Sequence, residues 1–239
     1  MEPLPPVVVL CGGRGTRLQE HTRTIPKPLV EIGGLPIVWH VVRLYAHAGF
    51  DRFVLATGYL GDQIEAFVDG HEWPAGVEVS CVDTGLDTPT GGRIAAVGDH
   101  VRGGTFCATY ADGVADLDLH ALLAFHHGHG RAATMTVVRP ELQFGVTELD
   151  GDGRVVGFRE KPRSEHWING GFFCFEPAVL DRLAPGDVLE RAPLESLAAD
   201  DELRAFRHEG FWDCMDTYKD AVLLNDLWAS GTPPWKVWA

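Results

Sequence analysis

Val7-Val8-Val9-Leu10-Cys11-Gly12-Gly13-Arg14-Gly15-Thr16-Arg17-Leu18 is the stretch on which the fold turns. Its first five residues are apolar without alternation, as in a strand buried on both faces of a parallel sheet. The rest is glycine-rich, with two arginines and a threonine. Glycine lets a backbone turn sharply and approach a phosphate closely, and the arginines and threonine add hydrogen-bond donors. The loop is neither of two familiar nucleotide motifs. Leu18 stands where the third glycine of G-x-G-x-x-G belongs, and G-x-x-x-x-G-K-S/T is absent. A tight turn with no ligand is the plain alternative.

Outward from this strand the pattern alternates. Pro36 to Phe50 carries Ile37, Val41, Leu44 and Tyr45 at helical spacing, with Gly49 as its stop. Arg52 to Thr57 reads as a strand, Gly61 to Val68 as a helix and Val77 to Val82 as a strand. Gly91 to Val101 is a helix, Thr105 to Tyr110 a strand, and Leu117 to His127 a helix stopped by Gly128 and Gly130. Ala132 to Val138 returns to strand. Repeated β-α-β predicts an α/β fold, a Rossmann-like, mostly parallel sheet with helices on both faces. From Phe144 the rhythm changes to short strands at Phe144 to Leu149, Arg154 to Arg159 and Asn169 to Phe175. Helices follow at Pro177 to Leu183, Leu189 to Leu197 and Tyr218 to Ser230. The second half is expected to be an insertion and lid around the first sheet, within one domain.

With 239 residues, 45% hydrophobic and 23% charged, the chain is long enough for a sizeable core and is not of disordered composition. Its 20 Lys+Arg against 34 Asp+Glu, a net charge of -14, argue against a nucleic-acid surface. An anionic small molecule remains compatible, because a few local cations and a metal reverse the field within one cleft. The run from Val7 to Cys11 is too short to span a membrane and lacks a signal peptide's basic flank. No membrane partner and a cytoplasmic location are therefore expected. The five cysteines form no CxxC pair, and Cys11, Cys81, Cys107 and Cys174 sit in or beside apolar runs, as reduced core residues do.

Candidate chemistry gathers at a few places. In Pro26-Lys27-Pro28, flanking prolines stiffen the segment that carries one lysine. Asp112 ends an apolar strand, at the sheet edge where ligands bind in α/β folds and where the glycine loop also lies. A carboxylate beside phosphate calls for a cation between them, usually Mg²⁺. Asp116 and Asp118 are better placed to cap the next helix. Glu160-Lys161-Pro162 and Asn169-Gly170-Gly171 put an acid, a base and an amide at strand ends, a set suited to a sugar phosphate. An exposed ion pair in a turn is the alternative there. Asp216, among apolar neighbours, is either a metal ligand or part of a helix cap, with Thr217 or Asp216 starting the last helix. His126, His127 and His129 lie where a helix C-terminus favours positive charge, not in a metal site. Trp228, Trp235 and Trp238 are expected to pack the C-terminal segment against the body or a neighbouring subunit.

Taken together these segments resemble the sugar-1-phosphate nucleotidylyltransferases over Val7 to Trp238. The general marks are Gly12 to Arg17, Pro26-Lys27-Pro28 and Glu160-Lys161-Pro162. Val82 to Gly85, Thr90 to Arg93, Asp112 to Asp118, Ile168 to Phe173, Phe211-Trp212 with Met215-Asp216-Thr217, and Pro234 to Trp238 are similar to the branch that uses CTP with glucose 1-phosphate. Ala111 departs from the family's usual glycine, and Glu72 to Val77 is a short connection. The resemblance implies nucleotidyl transfer from an NTP, CTP in this branch, to a sugar 1-phosphate, with Mg²⁺ and release of pyrophosphate, in a homo-oligomer. It implies that about 1–140 is a nucleotide-binding half and about 141–239 a sugar-binding half with the C-terminal segment. Leu10, Gly12, Gly13, Gly15 and Thr16 would lie against the nucleotide, Arg17 and Lys27 on the triphosphate, and Thr90, Gly91 and Arg93 near the base. Asp112 and Asp216 would hold the metal. Lys161 would bind the sugar phosphate, and Glu160, Asn169 and Gly170 the sugar. Arg17, Lys27, Asp112 and Lys161 would be catalytic. The same reaction with another NTP or sugar 1-phosphate is one alternative. A nicotinamide-dependent oxidoreductase and a non-catalytic sugar-nucleotide sensor are alternatives of other classes.

Overall fold

In β1 (Val7–Leu10), Val7 and Val9 pack into one core while Val8 and Leu10 pack into a second. Successive strand side chains point to opposite faces, so a strand with no polar position needs apolar cover on both. The computed structural model describes residues 3–15, 18 and 24–238. Thr16 and Arg17 of the glycine-rich loop lie outside them.

After β1 the chain forms β2 (Glu31–Ile32) and β3 (Leu35–Pro36), a small hairpin, then α1 (Ile37–His47), β4 (Arg52–Thr57), α2 (Gly61–Gly70) and β5 (Glu78–Asp83). Next come α3 (Thr90–Ala96), α4 (Gly98–Val101), β6 (Phe106–Tyr110), β7 (Gly113–Ala115), α5 (Leu119–His129) and β8 (Ala133–Val138). The remainder is β9 (Val146–Leu149), β10 (Val155–Arg159), β11 (Ile168–Phe175), α6 (Ala192–Ala199), β12 (Leu203–Arg207), β13 (Trp212–Cys214) and α7 (Tyr218–Ala229). Among the described residues seven strands form the central sheet, in the order β12-β8-β11-β6-β1-β4-β5. β4, β1, β5 and β6 run parallel, as do β12 and β8, and β11 runs antiparallel to both its neighbours.

Three expectations change. The segment expected as one helix from Gly91 to Val101 is two, α3 and α4, because the backbone leaves helical geometry at Val97 (φ -95°, ψ 9°) before Gly98. Phe144 precedes its strand and is 80% exposed. The second half is more than an insertion and lid: β11 and β12 lie in the same sheet as β1, whereas β9 pairs with β10 and β13 with β7 outside it. Two caps are as the sequence suggested. Asp118 accepts from Ala121 N–H to start α5, and Gly130, at φ 63°, ends it. Thr217 and Asp220 form a reciprocal capping box on α7. No helix among the described residues is long and apolar enough to cross a membrane.

The C-terminal tryptophans close one core around a buried histidine. His40 lies among Trp39, Trp228, Trp235 and Trp238, with ring centroids 4.8–6.3 Å away. Trp235 Nε1–H donates to His40 Nδ1 (3.4 Å), which leaves Nε2–H to donate to Ile32 O (2.9 Å). The neutral tautomer is thus fixed from both sides. Burial, outweighing the backbone hydrogen bonds to Ile32 and Leu35, lowers the imidazole to about 4. The unfolded chain takes up this proton near pH 6.5 and the folded chain does not, so stability falls as pH drops from about 6.5 to 4. His40 contributes about 1.4 kcal/mol per pH unit within that window. NMR titration of the His40 ring is expected to give a midpoint near 4; a midpoint above 6 contradicts the assignment.

Candidate active site

The site forms where β1 and β6 end. Asp112 lies two residues beyond β6, in the turn that leads into β7. β13 pairs antiparallel with β7, matching Cys214 to Gly113, and Met215 N–H donates to Asp112 O (2.9 Å). This pairing carries Asp216 to the side of Asp112. Lys27 approaches from the third direction on a single 3-10 turn (Lys27–Leu29), whose start is set by Pro26 and Pro28. Its ammonium donates to Asp112 Oδ2 at 2.5 Å and to Asp216 Oδ1 at 2.7 Å. Burial alone would lower the Lys27 pKa, but Asp112 and then Asp216 outweigh it and raise the value above the ordinary one. Lys27 is therefore a fixed positive charge. Two carboxylates facing one point of positive charge are also the oxygen donor set that a hard divalent cation takes.

A cleft of about 410 Å³ opens on one side of this triad, lined by Leu10, Gly12, Gly13, Gly15, Lys27, Thr90, Arg93, Tyr110, Asp112 and Asp216. A second, of about 470 Å³, opens on the other, lined by Tyr110, Asp112, Asn169, Gly170, Gly171, Trp212 and Asp216 among others. Both volumes suit small-molecule ligands. Tyr110, Asp112 and Asp216 belong to both linings, so the clefts adjoin at the carboxylates.

Arg93 forms the floor of the first cleft. Its guanidinium donates to Thr57 O (2.7 Å), Thr84 Oγ1 (2.6 Å), Gly85 O (3.0 Å), Gly12 O (3.0 Å) and Leu86 O (3.4 Å). It ties the loops after β1, β4 and β5 to α3. Gly12 is required for this, since a Cβ at that position would stand 2.0 Å from the Arg93 guanidinium. In the second cleft Trp212 Nε1–H donates to Gly170 O (2.8 Å). Gly171, at φ 80°, lies under the Tyr110 ring, where a Cβ would come within 2.5 Å.

The sequence-derived residues are therefore gathered unevenly. Leu10, Gly12, Gly13, Gly15, Lys27, Thr90, Arg93 and Asp112 share the first cleft, and Asn169 and Gly170 line the second. Gly91 faces the main chain of Asp187 and lines neither. Glu160 and Lys161 are exposed just beyond the β9–β10 hairpin and line neither cleft, with Lys161 in the left-handed region (φ 43°). Thr16 and Arg17 are outside the described residues. His126 and His129 meet Thr134, and His126 also meets Glu176, away from the carboxylates. Tyr110 and Trp212 were not singled out from sequence as site walls. Tyr110 had a signal, because it is the last residue of the apolar strand that leads to Asp112.

A family model for nucleotidyl transferases matches residues 6–213. A probable glucose-1-phosphate cytidylyltransferase of Bacillus subtilis (strain 168) is 40% identical over 253 aligned positions, covering 97% of this chain and 99% of the relative. The glucose-1-phosphate cytidylyltransferase of Salmonella typhi is 41% identical, with 97% and 98% covered. Among solved structures, a UDP-glucose pyrophosphorylase from Acinetobacter baumanii superposes with a TM-score of 0.75 at 19% identity, covering 97% of this chain and 95% of the other, and so shares the fold. The chain belongs to the nucleotidyl transferase family and, within it, to the sugar-1-phosphate nucleotidyltransferases. Enzymes of this family join a nucleoside triphosphate to a sugar phosphate and generally use a divalent metal ion.

Arg93→Lys replaces a planar group with several donors by one ammonium, leaving buried carbonyls unanswered. Stability is expected to fall by about 2–4 kcal/mol in urea unfolding. An unchanged unfolding midpoint would show that Arg93 does not hold these loops together.

Proposed function

We propose that this enzyme transfers the cytidylyl group of CTP to glucose 1-phosphate, giving CDP-glucose and pyrophosphate. The observation that carries the reading is the Lys27–Asp112–Asp216 triad at the boundary of two adjoining clefts. One cleft then takes the nucleotide and the other the sugar phosphate, with the reacting phosphates meeting at the carboxylates. The choice of CTP and glucose 1-phosphate is supported by the names of the relatives that are 40–41% identical over 97% of the chain. Residues 1–239 act as one domain, about 1–140 on the nucleotide side and about 141–239 on the sugar side.

In the reaction a phosphate oxygen of glucose 1-phosphate attacks the α-phosphorus of CTP. The new P–O bond forms as the bond to the bridging oxygen of pyrophosphate breaks, with no covalent intermediate on the protein. Catalysis is then positioning and charge stabilisation. Asp112 and Asp216 fit Mg²⁺, which supplies charge neutralisation to the phosphates when bound. Gly12, Gly13 and Gly15 let the nucleotide approach the backbone, and Lys27 and Arg17 hold the triphosphate. Arg93 is bonded to its own chain, so it fixes the shape of the base side and leaves discrimination of the base to backbone groups around Gly13 and Thr90. Asn169 and Gly170 receive the sugar. Lys161 and Glu160 reach the sugar phosphate from the hairpin arm, a role supported by their motif and requiring that arm to approach the cleft.

Cytoplasmic location and assembly into a homo-oligomer belong to the same reading. Five free thiols support the first. The exposed Leu149, Val155, Val156 and Phe158 of the hairpin support the second, and light scattering measures it.

A grid of nucleoside triphosphates against hexose 1-phosphates with Mg²⁺, read as pyrophosphate, is expected to give the highest kcat/KM for CTP with glucose 1-phosphate. A higher value for another pair rejects the substrate choice and keeps the reaction class. Asp112→Asn and Asp216→Asn are each expected to lower kcat by about a thousandfold or more without unfolding the chain. Near-normal turnover at saturating Mg²⁺ rejects the metal site. Lys161→Ala should raise KM for the sugar phosphate, and Lys27→Ala should impair use of the triphosphate. The same kinetic pattern for both variants would reject the division of roles.

A further inference from the structure

Glu190 lines neither cleft, yet it is bonded to a residue of each. It lies in the turn before α6. Its Oε2 accepts from Thr90 Oγ1–H (2.7 Å), and Thr90 is the first residue of α3 and part of the first cleft. Thr90 Oγ1 in turn accepts from Leu189 N–H (2.9 Å), which fixes the direction of its hydroxyl hydrogen. Glu190 Oε1 accepts a short hydrogen bond from the Tyr110 hydroxyl. That hydroxyl accepts from Asn169 Nδ2 (3.1 Å), while Asn169 Oδ1 accepts from Gly171 N–H (2.8 Å). Asn169 is thus oriented at both ends of its amide, and its remaining Nδ2 hydrogen is left for a ligand in the second cleft. Burial, reinforced by the Glu190 carboxylate, raises the Tyr110 phenol well above its ordinary value, so it stays a donor to Glu190.

We infer that Glu190 is a positioning residue that sets Thr90 for the nucleotide and, through Tyr110, Asn169 for the sugar phosphate. The inference rests on the proposed assignment of the two clefts. One carboxylate fixes two hydroxyls on different elements, so the two substrate sites share a single anchor. Loss of that anchor loosens both sites without removing any group that touches the reacting phosphorus. It is therefore read in KM and not in kcat.

The test measures kcat and KM for each substrate in the wild type, Glu190→Ala, Glu190→Gln and Tyr110→Phe. It uses whichever nucleotide and sugar phosphate the wild type turns over best, so failure of the CTP and glucose 1-phosphate choice is seen in the wild type alone. Glu190→Ala is expected to raise KM for both substrates about five- to twentyfold, with kcat within about threefold. Glu190→Gln, which keeps an acceptor for Tyr110 and a donor for Thr90, is expected to recover most of the loss. Tyr110→Phe keeps the ring but breaks the link to Asn169, and is expected to raise KM for the sugar phosphate only. Unchanged KM values in Glu190→Ala, a loss confined to kcat, or no recovery with Glu190→Gln overturns the inference. If Glu190→Ala does not fold, Tyr110→Phe decides: equal effects on both substrates, or none, overturn it.

Discussion

Two carboxylates held side by side at a partly dry sheet edge repel one another, and a cation between them is the condition for that arrangement. Lys27 meets it. The β7–β13 pairing that delivers Asp216, the stiff turn that delivers Lys27 and the strand end that delivers Asp112 have no common purpose apart from this contact. One ammonium against two carboxylates leaves the group negative, in a chain that is already strongly acidic. A polyphosphate cannot settle beside it on Lys27 alone, which gives a physical reason for the family's general use of a divalent metal.

The buried guanidinium of Arg93 shows how the rest of the cleft keeps its shape. A cleft formed by loops has main-chain carbonyls with no strand partner, and each must be answered. Water would answer them in a mobile way. Arg93 answers them with one rigid, planar group, and Gly12 is bare so that the group can fit. The backbone around the first cleft is therefore stiff without being part of the sheet.

The sequence was legible where structure is local. β1, β4 and β6 are apolar runs buried on both faces, and the caps at Asp118 and Thr217 act within four residues. It was illegible where partners are distant. Trp212–Cys214 is too short to announce a strand, and its meaning lies wholly in pairing with Gly113–Ala115. Leu203–Arg207 is an edge strand interrupted by Arg204 and Arg207, so it lacks the continuous apolar run that marked the others. The motifs around Lys27, Asp112 and Asp216 single out side chains that the fold brings together, but nothing in them says that one ammonium would bridge two carboxylates. The resemblance puts Arg93 near the base, yet the carbonyls that occupy its donors come from three other segments. Glu160 and Lys161 show the reverse limit, since their motif is plain while their arm stands away from the clefts.

The direction of β11 has a consequence for how such a protein diversifies. Because, among the described strands of the central sheet, it alone runs against both its neighbours, its first residues lie at the edge where β1 and β6 finish. Apart from Asp216, the residues of the first cleft lie in the segment up to Asp112, whereas Asn169 and Gly170 follow the long excursion that carries the hairpin. Insertions or exchanges between residues 139 and 167 change the excursion that leads into Asn169 and Gly170 while leaving the glycine loop, Lys27 and Arg93 undisturbed. A lineage built on this plan rewrites one excursion and keeps the first cleft whole.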